Sequence, residues 1–136
     1  MTSPLIQRLF DEFDYPEITE ANHDAFVSGP GMRVLFFAGD PERYRETTDV
    51  AVVIPELVQA FAGQFHPGVV AAGDELVLQK RYGFTAWPAL VFLRSEGYLG
   101  VITGIRNWSE YLEEISTLFT AEVKRAPSIG VPLVGV

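Results

Sequence analysis

Apolar residues recur along this chain with two periods, and the switches between them mark its elements. Leu5, Ile6, Leu9, Phe10 and Phe13 follow helical spacing, and Ser3–Pro4 supplies a cap and a first-turn proline ahead of them. Tyr15–Pro16 stops that helix, Ile18–Thr19 reads as a short strand, and Asn22 is placed to cap a single turn carrying Ala25–Phe26. After the Gly29–Pro30–Gly31 loop, Met32–Ala38 is almost wholly apolar, as expected of a strand covered on both faces. Gly39–Asp40–Pro41 breaks it, and Glu42–Asp49 is a polar loop. Val50–Ile54 is ambiguous, because its β-branched run favours a strand by propensity. Ile54, Leu57, Val58 and Phe61 nevertheless keep helical spacing up to Gly63, so one helix is expected from about Asp49 to Ala62. Pro55 either starts that helix or kinks it.

Further on, Val69–Ala72 reads as a short strand, and Asp74 as the cap of a brief helix ending at Gly83. Ala89–Leu93 and Tyr98–Ile102 form the arms of a hairpin around Ser95–Glu96–Gly97, with Gly97 in the left-handed turn position. Asn107 and Glu110 have capping-box spacing and open a last helix. Its expected buried stripe is Trp108, Tyr111, Leu112, Ile115, Leu118 and Phe119. From Ala126 the Gly and Pro content excludes a helix, and the apolar residues suit docking, for instance on a second copy of the chain. Residues 1–125 are therefore expected to form one domain, followed by an extended tail over 126–136. Helices alternating with strands and closed by a hairpin point to a three-layer α/β fold with a central mixed sheet.

Trp87–Pro88 stands at the mouth of the most apolar strand. A proline gives no N–H to a sheet ladder, so it belongs at a strand's first residue, and X-Pro is the common route to a cis peptide. Bulk composition narrows the chemistry around it. With 136 residues the chain suits one domain, and its formal charge of −8 argues against a surface that tracks nucleic-acid phosphates. No cysteine is present, which removes disulfides, thiolate metal sites and all thiol redox chemistry. Met1–Phe13 lacks the uncharged core of a secretory leader, and the run Ala86–Leu93 is too short to span a bilayer. A soluble cytoplasmic protein without membrane insertion is expected.

The element order, with Trp87–Pro88 ahead of the hairpin, resembles the thioredoxin fold from roughly Tyr15 to Thr120. Lys80–Pro88 is similar to the thioredoxin segment that ends in its cis-proline, Thr103–Gly104–Ile105 to the loop beside it, and Pro55 to the kinking proline of the helix after the thioredoxin active site. Two departures remove the redox machinery. Pro41–Glu42–Arg43–Tyr44 stands where thioredoxins carry Cys-x-x-Cys, and Leu35 where they bury an aspartate. Gly39–Arg43, the Tyr82–Phe92 segment, and Gly104–Ile105 followed by Trp108 resemble a cysteine-free branch, the hydrogenase expression/formation proteins of the HyaE/HupG type. That resemblance implies a cytoplasmic chaperone for a NiFe hydrogenase subunit precursor. The implied client is the small subunit with its twin-arginine signal peptide.

The candidate partner-binding residues are Trp87, Pro88, Gly104 and Ile105, joined by Asp40 and Glu42 from the acidic loop. In thioredoxins the backbone before the cis-proline pairs with an extended peptide, and such β-augmentation needs no thiol. Trp87 is either a core filler or a half-exposed anchor. Asp40, Glu42, Glu46 and Asp49 either form a solvated loop or attract the arginines of a client, against which Arg43 and Arg45 weigh. His23 and His66 lack ligand-like spacing, and no nucleophile elbow or phosphate-cradling motif is present. No catalytic residue, metal or cofactor is expected. A general peptide-binding module is the alternative function, and a thiol-independent transferase a more distant one.

Overall fold

Ser3 accepts a hydrogen bond from the Leu5 N–H, and Pro4 fills the first position of α1 (Pro4–Asp11), as the cap signals require. The structure is a computed structural model and describes residues 3–127. The chain continues through β1 (Glu17–Ile18), α2 (His23–Val27), β2 (Met32–Phe37), α3 (Glu46–Ala60) and β3 (Phe65–Val70). A 3-10 turn (Ala72–Asp74), α4 (Glu75–Gln79), β4 (Ala89–Arg94), β5 (Gly97–Thr103) and α5 (Trp108–Phe119) complete it. The five strands form one mixed sheet in the order β1-β3-β2-β4-β5. β1, β3 and β2 are parallel, β4 runs antiparallel to β2, and β5 antiparallel to β4. This is the three-layer arrangement expected from the pattern and the thioredoxin-like fold that the resemblance implied.

Strand periodicity explains the two cores. Val34 and Phe36 of β2, with Leu90 and Phe92 of β4, point to one face, where Leu9, Ile54, Leu57, Tyr111 and Ile115 cover them. Leu35 and Phe37, with Val91 and Leu93, point to the other and meet Val27, Leu78, Tyr82 and Phe84. Because both faces are covered, these strands read as unbroken apolar runs.

Several elements differ from the sequence reading, each for a local reason. β3 starts at Phe65 rather than Val69 and includes His66–Pro67–Gly68. Pro67 is tolerated because β1 pairs only with Val69 and Val70, leaving β2 as the sole neighbour at Pro67. Gly68 is required by crowding, since a Cβ there would lie 2.7 Å from Ile18 Cγ1 and 2.9 Å from Phe26 Cζ. Gly68→Ala is expected to destabilise the protein by about 1–3 kcal/mol, to be read from urea unfolding. α3 begins at Glu46, so the latter part of the polar loop is helical, and Pro55 lies inside the helix, buried. Thr47 Oγ1 ties this first turn to the end of β2 by donating to the Ala38 carbonyl at 2.6 Å.

Neither Asn22 nor Asp74 caps the helix it precedes. The Asn22 Oδ1 accepts from the Thr19 N–H instead, and the Asp74 Oδ2 from the Glu20 N–H. In the hairpin the left-handed residues are Ser95 and Glu96, making a two-residue turn, and Gly97 is not among them. Gly97 is needed because the Val123 side chain packs where its Cβ would stand. The capping box at Asn107 and Glu110 is formed as expected. Asn107→Ala should lower stability by about 1 kcal/mol, measurable as a shift in the denaturation midpoint. Within α5, Tyr111 and Ile115 are buried but Trp108 is 44 % exposed, against the expected stripe. Arg94 donates to the Ala121 carbonyl at 2.9 Å and secures the chain just beyond α5. Of the tail, Ala126 packs against the second core and Pro127 abuts Gly83; the remainder, with its expected docking role, lies outside the described residues. Among the described residues no helix is long and apolar enough to cross a membrane.

Candidate functional site at Trp87–Pro88

The site forms where the end of β2, the start of β4 and the end of β5 meet. The Trp87–Pro88 peptide is cis, and Pro88 is buried at the head of β4. Its carbonyl accepts the Gly104 N–H at 2.8 Å, fixing the loop after β5 beside it. Gly104 takes φ +68°, a conformation that favours glycine over residues with a Cβ. The next N–H, of Ile105, donates to Glu46 Oε1 at 2.7 Å. Glu46 is thus exposed, yet one of its oxygens is already engaged by a backbone N–H of the chain. Trp87–Pro88, leading into β4, and Gly104–Ile105, following β5, are therefore brought together from two separate segments.

Trp87 is half-buried, which reconciles its two readings. Its indole meets Phe37 and Phe84 edge-on at 6.1 and 5.1 Å, and stacks on Tyr44 at 6.2 Å. Gly39, at φ +73°, allows this stack: a Cβ there would come within 2.8 Å of the Tyr44 ring. The turn from Asp40 to Tyr44 presents the Tyr44 ring. Asp40 Oδ1 accepts the Glu42 N–H at 3.0 Å, and its carbonyl accepts from Arg43 and Tyr44. Asp40 and Glu42 are both exposed, while the Arg43 guanidinium lies over the Tyr44 ring at 5.4 Å. Acid and base thus share this rim. Among the described residues, no hydrogen bond engages the main chain of Ala86 or Trp87. That short edge is open to an added strand.

Leu35 is fully buried among apolar neighbours, so no acid lies under the site at that position. Sequence reasoning missed a different carboxylate. Glu75 is only 8 % exposed, and its Oε2 accepts the Gly39 N–H at 2.9 Å, bracing the turn from behind. Its one sequence signal was an acid heading the short apolar stretch Leu76–Leu78. It lines a cavity of about 380 Å³ with Ile6, Phe10, Glu17 and Val69. Burial raises the Glu75 carboxyl above its ordinary pKa, opposed by the N–H groups of Gly39 and Ala38. A raised native pKa contributes stability below the unfolded value, and this is lost as pH rises through the folded one. Glu75→Gln keeps an acceptor for Gly39 and removes the charge. It should resist urea better than the parent at about pH 7, with the gain vanishing near about pH 4.

His23 is buried, between Asp24 and the Tyr82 hydroxyl, and His66 is exposed on β3. Among the described residues no group of three or more His, Asp or Glu side chains could hold a metal ion.

The family model of the hydrogenase-1 expression protein HyaE matches residues 5–111. The hydrogenase expression/formation protein HoxO of Azotobacter vinelandii is 47 % identical, over 96 % of this chain and 88 % of its own. HupG of Rhizobium leguminosarum bv. viciae, also a hydrogenase expression/formation protein, is 40 % identical, over 98 % of this chain and 93 % of its own. A crystal structure described as the hydrogenase expression/formation protein hupG of Rhodopseudomonas palustris CGA009 superposes with a TM-score of 0.55. It is 40 % identical and covers 76 % of this chain and 93 % of that one. With more than half of its length inside the family match and relatives this similar along nearly all of it, the chain belongs to the HyaE family of hydrogenase expression proteins.

Proposed function

We propose that this protein is a non-catalytic cytoplasmic chaperone of NiFe hydrogenase maturation. It holds the small-subunit precursor by its twin-arginine signal peptide before export. The observation that carries this reading is the main chain of Ala86–Trp87 beside Pro88, which makes no hydrogen bond among the described residues, in a chain without a single cysteine. An extended client segment adds there as a short strand, its main chain pairing with the free edge. Trp87 and Ile105 flank the segment, supplying apolar contact, and Asp40 and Glu42 lend negative charge to the rim. The fold's thiol chemistry is gone, so the groove binds and releases without turnover.

The test is titration of the purified chain with hydrogenase small subunit carrying or lacking its signal segment. Preferential binding of the signal-bearing form supports the proposal. Equal binding of both forms points instead to a general protein-binding module. A salt series adds the electrostatic part: contacts from the exposed acids weaken as ionic strength rises.

A further inference from the structure

α3 carries apolar residues on more than its core face. Val50, Ala51, Ile54 and Leu57 are buried against the sheet, yet Val52 is 42 % exposed and Val53 only partly covered. Asp49, Val52, Val53 and Glu56 fall at i, i+3, i+4 and i+7, one stripe of the helix. Across from this stripe stand Ile105 and the exposed Trp108, and the six residues line one groove of about 470 Å³. Ile105 belongs equally to the loop beside Pro88, so this groove continues the site already described. Asp49 and Glu56 make no ion pair among the described residues, and seven residues of helix set them about 10 Å apart along its axis.

We infer that the Val52–Val53–Trp108 groove is a second part of the client site, and that it takes an apolar segment flanked by lysine or arginine. The inference rests on the proposed reading that the client offers a signal-like segment, and it names the chemistry recognised. Exposed tryptophan is a favoured interface anchor, since it buries a large surface with few rotatable bonds. The two valines form the opposing wall. The carboxylates at either end of the stripe receive the cations, which also gain from the indole face when they lie over it. On a chain of net charge −8, a cationic flank is the complementary choice.

The probe is a synthetic peptide spanning the signal segment of a hydrogenase small subunit, added to the isotope-labelled full chain. The Trp108 indole N–H resonance, assigned by its loss in Trp108→Phe, should shift saturably. Trp108→Ala should weaken binding by about tenfold or more. Asp49→Asn combined with Glu56→Gln should reduce the salt dependence beyond the part carried by Asp40 and Glu42, and a peptide whose arginines are replaced by glutamine should lose most of it. Thermal unfolding of each variant checks that it remains folded. Peptide bound with unchanged affinity by folded Trp108→Ala overturns the inference alone. No binding to the unaltered protein overturns it together with the proposed function. A Trp108 shift that follows protein concentration without peptide assigns the groove to a second copy of the chain, and overturns it too.

Discussion

Phe37→Ala is expected to cost about 3–5 kcal/mol of folding stability and to loosen the client site with it. Phe37 is fully buried at the end of β2, and its ring meets those of Tyr82, Phe84 and Trp87 at 6.3, 4.8 and 6.1 Å. Truncation leaves a void that these three rings cannot readily close, because β2 is held by neighbours on both sides. Removing the wall behind the indole also frees Trp87 from one of its two edge-on contacts. Urea unfolding measures the first effect. A red-shifted, less structured tryptophan signal in the folded variant measures the second. Phe37→Leu, which keeps most of the volume, should lose much less stability. A Phe37→Ala protein as stable as the parent would show that the aromatic cluster does not hold the site.

Trp87→Ala is expected to reduce affinity for the signal-bearing precursor by about 30-fold, roughly 2 kcal/mol, with a far smaller effect on folding than Phe37→Ala. The indole is only half-buried, and its outer side is where a client segment running along Ala86–Trp87 would rest. Tyr44 loses its stacking partner in the variant, so Trp87→Phe should recover part of the affinity by restoring one ring. Binding by Trp87→Ala that matches the parent would remove the indole from the site and leave only main-chain pairing.

The fold was legible where one residue type enforces one geometry. Pro88 at a strand's mouth, the Asn107–Glu110 box and the doubly apolar runs of β2 and β4 each had few alternatives. Reading failed where tertiary neighbours set the outcome. His66–Pro67–Gly68 looks like a breaker, and only the shortness of β1 lets it be strand. Gly97 looks like a turn glycine, while the actual reason for it is Val123, 26 residues later in the chain. Periodicity placed Trp108 on the apolar stripe of α5 but could not say where the covering element ends, so its exposure was invisible. Much the same holds for the groove. Trp87, Pro88, Gly104 and Ile105 could be nominated from local pattern, and the structure places them side by side. The roles of Glu46 and Glu75 could not, because each carboxylate acts on a backbone N–H distant in sequence.

One measurement bears most directly on the claim that this is a peptide-holding site retained without thiol chemistry. Calorimetric titration of the full chain with hydrogenase small-subunit precursor, and with the same subunit lacking its signal segment, compares the two affinities. The account predicts that removing the signal segment weakens binding at least about tenfold, or about 1.4 kcal/mol, and that Trp87→Ala erases most of this preference. Equal affinity for both forms, unchanged in Trp87→Ala, would contradict it.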